Sequence, residues 1–339
     1  MQNPPVPSSA PFLVTGATGF VGSAVARVLA ASGHPLRLMV RANSDRSNLA
    51  GLDAELVEAD LRDPASLAPA VRDCAALFHV AADYRLWVPD PEQMMQANVA
   101  GTIALMRAAQ RARIPRIVYT SSVAALGQIG DGTPADEATP NDPAKIVGAY
   151  KKSKYLAEQA VRDLVRQESL PAVIVNPSTP VGPRDIKPTP TGKTIRDAAA
   201  GKIPAYIDTG LNIVHVDDVA TGHLLAYERG RIGESYILGG EDFLLRDLLR
   251  LIAKVTGQKP PRFALPAPAL WPVAVACELA ARAFGSDPLV TREMLMMARK
   301  KMFFSSAKAR AELGYAPRPA RQAIIDAVAW FRGNGKLPS

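Results

Sequence analysis

A glycine triplet set between an apolar run and a helical pattern constrains this chain more than any other feature. Thr15-Gly16-Ala17-Thr18-Gly19-Phe20-Val21-Gly22 follows the run Phe12-Leu-Val-Thr15, and residues Phe20 to Ser32 read as a helix ended by Gly33. Gly16 permits a tight turn, Gly19 lets backbone N–H groups approach a pyrophosphate, and Gly22 lets the helix lie close to the strand. The spacing is G-x-x-G-x-x-G, and a plain turn also carries glycines. Its place after the first strand and before a helix marks it as a dinucleotide loop, with Gly16, Thr18, Gly19, Phe20, Val21 and Gly22 as binding residues.

The pattern around the loop repeats. Strand-like runs follow at Leu36–Val40, Ala54–Glu58, Ala76–Val80, Arg116–Thr120 and Ala172–Val175. Helical patterns lie between them, at Asp63–Arg72, Pro91–Arg113 and Ile146–Gln167. Short, continuous apolar runs suit strands buried on both faces. Asp63-Pro64 reads as an N-cap followed by proline at the first helical position. The alternation predicts an α/β fold, a doubly wound parallel sheet of Rossmann type, over residues 11–178. After Ser178 the rhythm breaks in a loop with Pro180, Pro183, Pro188 and Pro190, and residues 179–339 read as a smaller mixed α/β substrate lobe interleaved with the first part. Residues 1–10 lack a basic start and an apolar core and read as a flexible tail, not a signal peptide.

Composition excludes several classes. The chain has 339 residues, 48% of them hydrophobic, enough for a large core, and a formal net charge of +8. Its basic residues are scattered, with a cluster only at Arg299, Lys300 and Lys301, and no basic patch interleaves with aromatics, so nucleic acid is not an expected partner. Cys74 and Cys277 form no Cys-x-x-Cys, and the simplest home is a reducing cytoplasm. The four histidines show no metal-ligand spacing, and no metal is expected. Pro266–Phe284 contains Pro268, Pro272, Glu278 and Arg282 and is too short and interrupted to span a bilayer, which needs about 20 apolar residues. It reads as a packed helix lining the substrate lobe, with an interfacial anchor as the alternative.

The second half of the sheet carries the chemistry. Thr120-Ser121-Ser122 ends the fifth strand, and Tyr150-Lys-Lys-Ser-Lys154 places a phenol and an ammonium at i and i+4 on one helix face. An ammonium beside a phenol favours the phenolate, which suits acid–base work nearer neutrality. A solvated helix face can carry the same pair, and Ser122 alone can cap a turn. In combination Ser122, Tyr150 and Lys154 form a candidate catalytic set. At the end of the second strand stand Met39-Val40-Arg41, with Arg46 in the same loop and no carboxylate. A guanidinium there favours a 2′-phosphate, hence NADP over NAD. Asp60-Leu61, after the third strand, is placed to meet an adenine amino group, or else caps a turn.

These motifs together resemble the extended short-chain dehydrogenase/reductases. The resemblance continues through Asn98-Val-Ala-Gly-Thr102, Asp136-Glu137, His215-Val-Asp-Asp-Val219 and Lys308-Ala-Arg-Ala-Glu-Leu-Gly-Tyr315. More narrowly, His79–Trp87, Asn176–Gly192 and Ala298–Ser306 are similar to hopanoid-associated sugar epimerases, a group close to dihydroflavonol-reductase-like and steroid-dehydrogenase-like enzymes. The resemblance implies that Ser122 binds the substrate oxygen, Tyr150 exchanges its proton, and Lys154 lowers the phenol pKa and holds the nicotinamide ribose. It further implies that Thr120, Ala81, Ala82, Pro177 and Ser178 border the cofactor, and that the helices at Pro91–Arg113 and Ile146–Gln167 pair in a homodimer. Asp83, Tyr84, Arg85, Trp87 and Lys193 are candidate substrate contacts, for a small-molecule or lipid-linked sugar. Sugar dehydration is disfavoured, because Val123 and Ala124 follow Ser122 where dehydratases carry an acidic pair. The reactions in contention are epimerisation, net NADPH-dependent reduction, and a non-catalytic dinucleotide sensor, against which the intact Ser122/Tyr150/Lys154 set speaks. Peripheral membrane contact stays open.

Overall fold

The six apolar runs form β1 (Phe12–Thr15), β2 (Leu36–Val40), β3 (Glu55–Glu58), β4 (Ala76–His79), β5 (Ile117–Thr120) and β6 (Ala172–Pro177). In this computed structural model the described residues are 10–337, apart from 86, 89, 130, 285–287, 289 and 299 and the side chain of Arg282. The tail expected at 1–10 therefore lies outside the described residues except for Ala10, as does Arg299 of the basic cluster. Past residue 178 come β7 (Thr179–Val181), β8 (Ala205–Tyr206), β9 (Gly210–His215), β10 (Ser235–Leu238), β11 (Glu241–Leu244), β12 (Phe263–Ala264) and β13 (Lys301–Met302).

The main sheet is parallel and runs β10-β6-β5-β4-β1-β2-β3. Its inner strands β1, β4, β5 and β6 are buried at every residue, which is why they read as unbroken apolar runs. Alternate residues enter two cores. Val14, Phe78, Val118 and Val175 face one core with α1 (Phe20–Ala31), while Leu13, Leu77, Ile117 and Ile174 face the other with α2 (Pro64–Val71). The edge strand β3 is largely exposed and carries Glu55 and Glu58, charges that discourage pairing with another chain. Chain order reverses direction between β1 and β4, so a crevice opens at the carboxyl ends of these strands.

The helix expected over 91–113 is three segments. They are α3 (Pro91–Met95), a π-helical stretch Gln96–Ala100 and α4 (Gly101–Arg111). The cause is local: Asn98 turns inward to bind the backbone of Asp83, and a Cβ on Gly101 would lie 2.8 Å from Leu61. Next come α5 (Ala149–Glu168), α6 (Pro190–Ala199) and α7 (Val216–Arg229). Helix α7 packs on the β1 side of the sheet beside α1, and β10 pairs with β6, so residues 216–238 return to the large sheet.

The remaining helices are α8 (Leu245–Thr256), α9 (Trp271–Phe284), α10 (Arg292–Ala298), α11 (Ala307–Leu313) and α12 (Ala320–Gly333). A small sheet of β7, β9, β11 and β13 and a core of Ile195, Leu248, Ile252, Ile324 and Phe331 join α6, α8 and α12. Helix α9 departs from the packed helix expected there. Of its described side chains only Ala274, Glu278 and Ala281 are buried, and Trp271, Val273, Leu279 and Phe284 face outward.

Candidate active site

The glycine loop leaves β1 through a positive φ of 71° at Gly16, where a Cβ would stand 2.8 Å from the backbone of Ala81. A Cβ on Gly22 would approach the Gly16 carbonyl to 2.1 Å, so only glycine lets α1 begin this close. Around Gly19 the Gly16 carbonyl oxygen is the one neighbour a Cβ would meet, at 3.2 Å, which leaves the loop's outer face open above the first turn of α1. Helix α1 presents its first N–H groups on this side. Asn48, buried at 5% exposure, donates to the carbonyls of Thr18 and Arg184 at 3.2 Å and so ties the loop to the segment after β7.

A buried relay fixes the crevice floor. Thr15 Oγ1 accepts from the N–H groups of Val80 and Ala81 at 3.1 Å, which leaves its proton for His79 Nδ1 at 2.8 Å. His79 then carries its hydrogen on Nε2, which donates to Thr102 Oγ1 at 2.9 Å. Burial holds this imidazole neutral, its pKa lowered to about 3. Sequence reasoning excluded His79 as a metal ligand and found no other role for it. The signal was the apolar run that ends in a histidine no core would accept unpaired.

At the ends of β2 and β3, Arg41 is exposed and makes no ion pair among the described residues, although its charge reaches Asp60 and Asp83. Arg46 is paired instead with Glu58 at 2.9 Å. Asp60 is a turn residue: its carboxylate takes the Arg62 backbone N–H at 2.9 Å and the Arg62 guanidinium at 2.7 Å. That leaves its neighbour Leu61 packed toward Gly101.

Helix α5 begins after Gly148, whose φ is +94°, and brings Tyr150 and Lys154 under the end of β5. Lys154 Nζ donates to the Thr120 carbonyl at 2.8 Å and lies 5.4 Å from the Tyr119 ring centroid. Burial lowers the Lys154 pKa to about 8 while Glu158 pulls the other way. Tyr150 is raised above the ordinary phenol value, first by burial, and the Ser122 hydroxyl hydrogen-bonded to it lowers it in part. The depression of the phenol expected from Lys154 is thus not what this arrangement gives. The ammonium is held by the Thr120 carbonyl, and burial outweighs its pull on the phenol.

Further contacts hold the set in place. The Ser122 hydroxyl accepts from Ala124 N–H at 3.1 Å, and Asn176 Nδ2 donates to the Ser122 carbonyl at 3.1 Å and to Glu158 at 2.8 Å. Thr120 is held by a second buried histidine. His223 Nδ1 donates to the Val219 carbonyl at 2.8 Å, so its Nε2 accepts the Thr120 hydroxyl at 2.9 Å. The π-helical stretch between α3 and α4 approaches through Asn98, which bridges Asp83 N–H (2.7 Å), Asp83 carbonyl (2.8 Å) and Ser153 Oγ (3.0 Å). Pro177 ends β6 and Ser178 follows it, and the buried Ser178 hydroxyl has no hydrogen-bond partner among the described residues. On the substrate side Asp83 is paired with Arg85 at 3.0 Å, Tyr84 is exposed, Trp87 is half-buried and Lys193 is exposed on α6.

The pattern of the NAD dependent epimerase/dehydratase family matches residues 12–239, which hold the glycine loop, Ser122, Tyr150 and Lys154. The chain belongs to that family. Its extended short-chain dehydrogenase/reductase character is borne out by the relatives of this epimerase/dehydratase-family chain. The crystal structure of gox2253 is 63% identical, with a TM-score of 0.88 over 96% of this chain and 99% of that one. A protein of Synechocystis named "Putative dihydroflavonol 4-reductase" is 44% identical over 96% of this chain and 95% of its own length. Sterol demethylase protein B of Methylococcus capsulatus is 34% identical over 96% of this chain and 99% of its own. Members of the family are oxidoreductases and epimerases dependent on a nicotinamide dinucleotide, and the open face above Gly19 fits such a group.

Proposed function

We propose that this chain is an NADP-linked oxidoreductase that reduces a carbonyl on a polycyclic or sugar-bearing substrate. The observation that carries the reading is Arg41: a guanidinium with no ion pair among the described residues stands at the end of β2, where an NAD-specific site places a carboxylate. The residues to hold the dinucleotide are the 16–22 loop, Arg41 and Arg46 toward a 2′-phosphate, Ala81 and Ala82 at the end of β4, and Lys154, Pro177 and Ser178 toward the nicotinamide. When bound, the dinucleotide supplies the hydride. Ser122 donates to the substrate oxygen as it gains negative charge, and Tyr150 gives that oxygen its proton. A phenol whose pKa is raised is in the donating form at neutral pH, which suits reduction. Lys154, charged below about pH 8, stabilises the oxyanion left on Tyr150.

The name of one relative supports a reductive chemistry, since it is called a putative dihydroflavonol 4-reductase. The second reading is a sugar epimerase of the hopanoid-associated type, favoured by the stretches His79–Trp87 and Asn176–Gly192. The two differ in stoichiometry. A reductase consumes one NADPH per carbonyl reduced, whereas an epimerase returns its hydride and leaves absorbance unchanged. Arg41→Asp should weaken NADPH binding by about 10- to 100-fold, the worth of a hydrogen bond to a charged group. NADH binding should change little, and equal loss for both dinucleotides rejects the 2′-phosphate assignment.

A further inference from the structure

Six of the eleven exposed large apolar side chains among the described residues lie between 263 and 284: Phe263, Leu265, Trp271, Val273, Leu279 and Phe284. Phe263 is 69% and Phe284 83% exposed. Helix α9 is built inside out. It buries Ala274, Glu278 and Ala281 along one face, and Glu278 fastens that face to α10 by accepting the Arg292 backbone N–H at 2.7 Å and its Nε at 2.9 Å. A polar clamp thus holds the helix, and its large apolar side chains take no part in a core.

The charges that lead into this patch along the chain have one sign. Residues 248–277 contain no Asp or Glu, while Arg250, Lys254, Lys259 and Arg262 are all exposed. Lys254 also shares a groove between α8 and α12 with Arg321 and Arg332, and no carboxylate lines it. An apolar patch approached through an uninterrupted cationic stretch matches a surface that is anionic outside and apolar beneath.

We infer that the 263–284 segment docks this chain on the surface of an anionic lipid bilayer, with Trp271, Leu279 and Phe284 entering the acyl boundary and Lys259 and Arg262 meeting the headgroups. At 3.6 residues per turn, Trp271 and Leu279 lie on one flank of the buried face and Val273 and Phe284 on the other. A partner protein or second copy would present a fixed complementary shape to a single stripe, whereas lipid conforms to apolar side chains spread around a helix. No helix among the described residues is long and apolar enough to cross a membrane, so the contact is at the surface. Helix α10 carries the contact inward, because the Glu293 carboxylate sits where a Cβ on Gly148 would be, directly before the Tyr150 helix. The inference stands whichever reaction the site performs.

The test is co-sedimentation of the purified full chain with vesicles of phosphatidylcholine alone and of an equal mixture with phosphatidylglycerol. Binding to the mixture should exceed binding to phosphatidylcholine by about tenfold or more, given two or more cations near the headgroups. Leu279→Ser with Phe284→Ser should lower it by about tenfold or more, and Lys259→Glu with Arg262→Glu should bring it to the phosphatidylcholine level. Both variants change exposed side chains and should melt with the parent. The inference is overturned if the parent fails to sediment or if the variants sediment like it. It is equally overturned if light scattering shows a dimer that the Leu279/Phe284 change dissolves while vesicle binding is absent, since the patch is then a contact between copies.

Discussion

Tyr150 and Lys154 stand one turn apart, yet burial pushes their pKa values away from each other, the phenol up and the ammonium down to about 8. Both shifts have one physical source, the low-dielectric pocket under β5, which disfavours either charge. Tyr150→Phe removes the proton donor and should lower kcat by about 10²- to 10⁴-fold while NADPH affinity is kept, a split read by steady-state kinetics and fluorescence titration. Lys154 is charged below about pH 8 and neutral above it, so the reduction rate should fall as pH rises through that value. A Lys154→Met variant should be slow and lose that limb, and an unchanged pH profile would remove Lys154 from the chemistry. At this scale Tyr-x-x-x-Lys was legible, because i and i+4 are neighbours on any helix. That the ammonium binds the Thr120 carbonyl was not, because Thr120 is 34 residues away.

The π-helical stretch at Gln96–Ala100 shows what an element can do that periodicity does not announce. Apolar spacing over Pro91–Arg113 suits one continuous helix, and the widened turn is set by Asn98 reaching two different neighbours, the Asp83 backbone and Ser153 of α5. Such a turn costs helix hydrogen bonding and persists where side-chain contacts hold it, often beside a functional site. Asn98→Ala leaves the partly buried Asp83 N–H and carbonyl without this partner and should destabilise the fold by about 1 kcal/mol or more. The urea midpoint measures this loss. NADPH binding should weaken with it, since Asp83 follows directly on the Ala81 and Ala82 that border the site. If stability and binding both stay at parental levels, the turn does not hold the end of β4. The α5 start is held in a comparable way, with the Glu293 carboxylate seated against Gly148.

Across the whole molecule, one buried histidine fastens the cofactor side of the sheet and another the catalytic side. His79 pins the end of β1 to β4 and α4, and His223 pins the end of β5 to α7. Burial lowers their pKa values to about 3 and about 4. Folding therefore favours the neutral rings. The stability they give is whole above pH about 6.5, and it is lost as pH falls toward 4, because the unfolded chain takes up the protons first. Each histidine should contribute a slope of about 1.4 kcal/mol per pH unit in that window. The urea midpoint should drop clearly between pH 7 and pH 5, and His223→Gln should reduce the slope by one proton. A midpoint indifferent to pH over this range would show that the rings are not held neutral by burial.

Local rules carried much of the reading from sequence alone. The burial of β1, β4, β5 and β6 on both faces wrote itself into unbroken apolar runs, the tight start of α1 into Gly16 and Gly22, and the cap of α2 into Asp63-Pro64. Each of these leaves its mark on residues within a turn or two of one another, so the chain displays it in order. The pairing of β10 with β6, the Thr15–His79–Thr102 and Thr120–His223 relays, the capture of Asp60 by Arg62 and the outward-facing α9 were decided only in the tertiary structure. Except for the Asp60 turn, they join residues far apart in the chain. Spacing cannot tell which distant polar group a buried histidine will meet, or which face of an evenly apolar helix a neighbouring element will cover, because burial is a property of the packed whole.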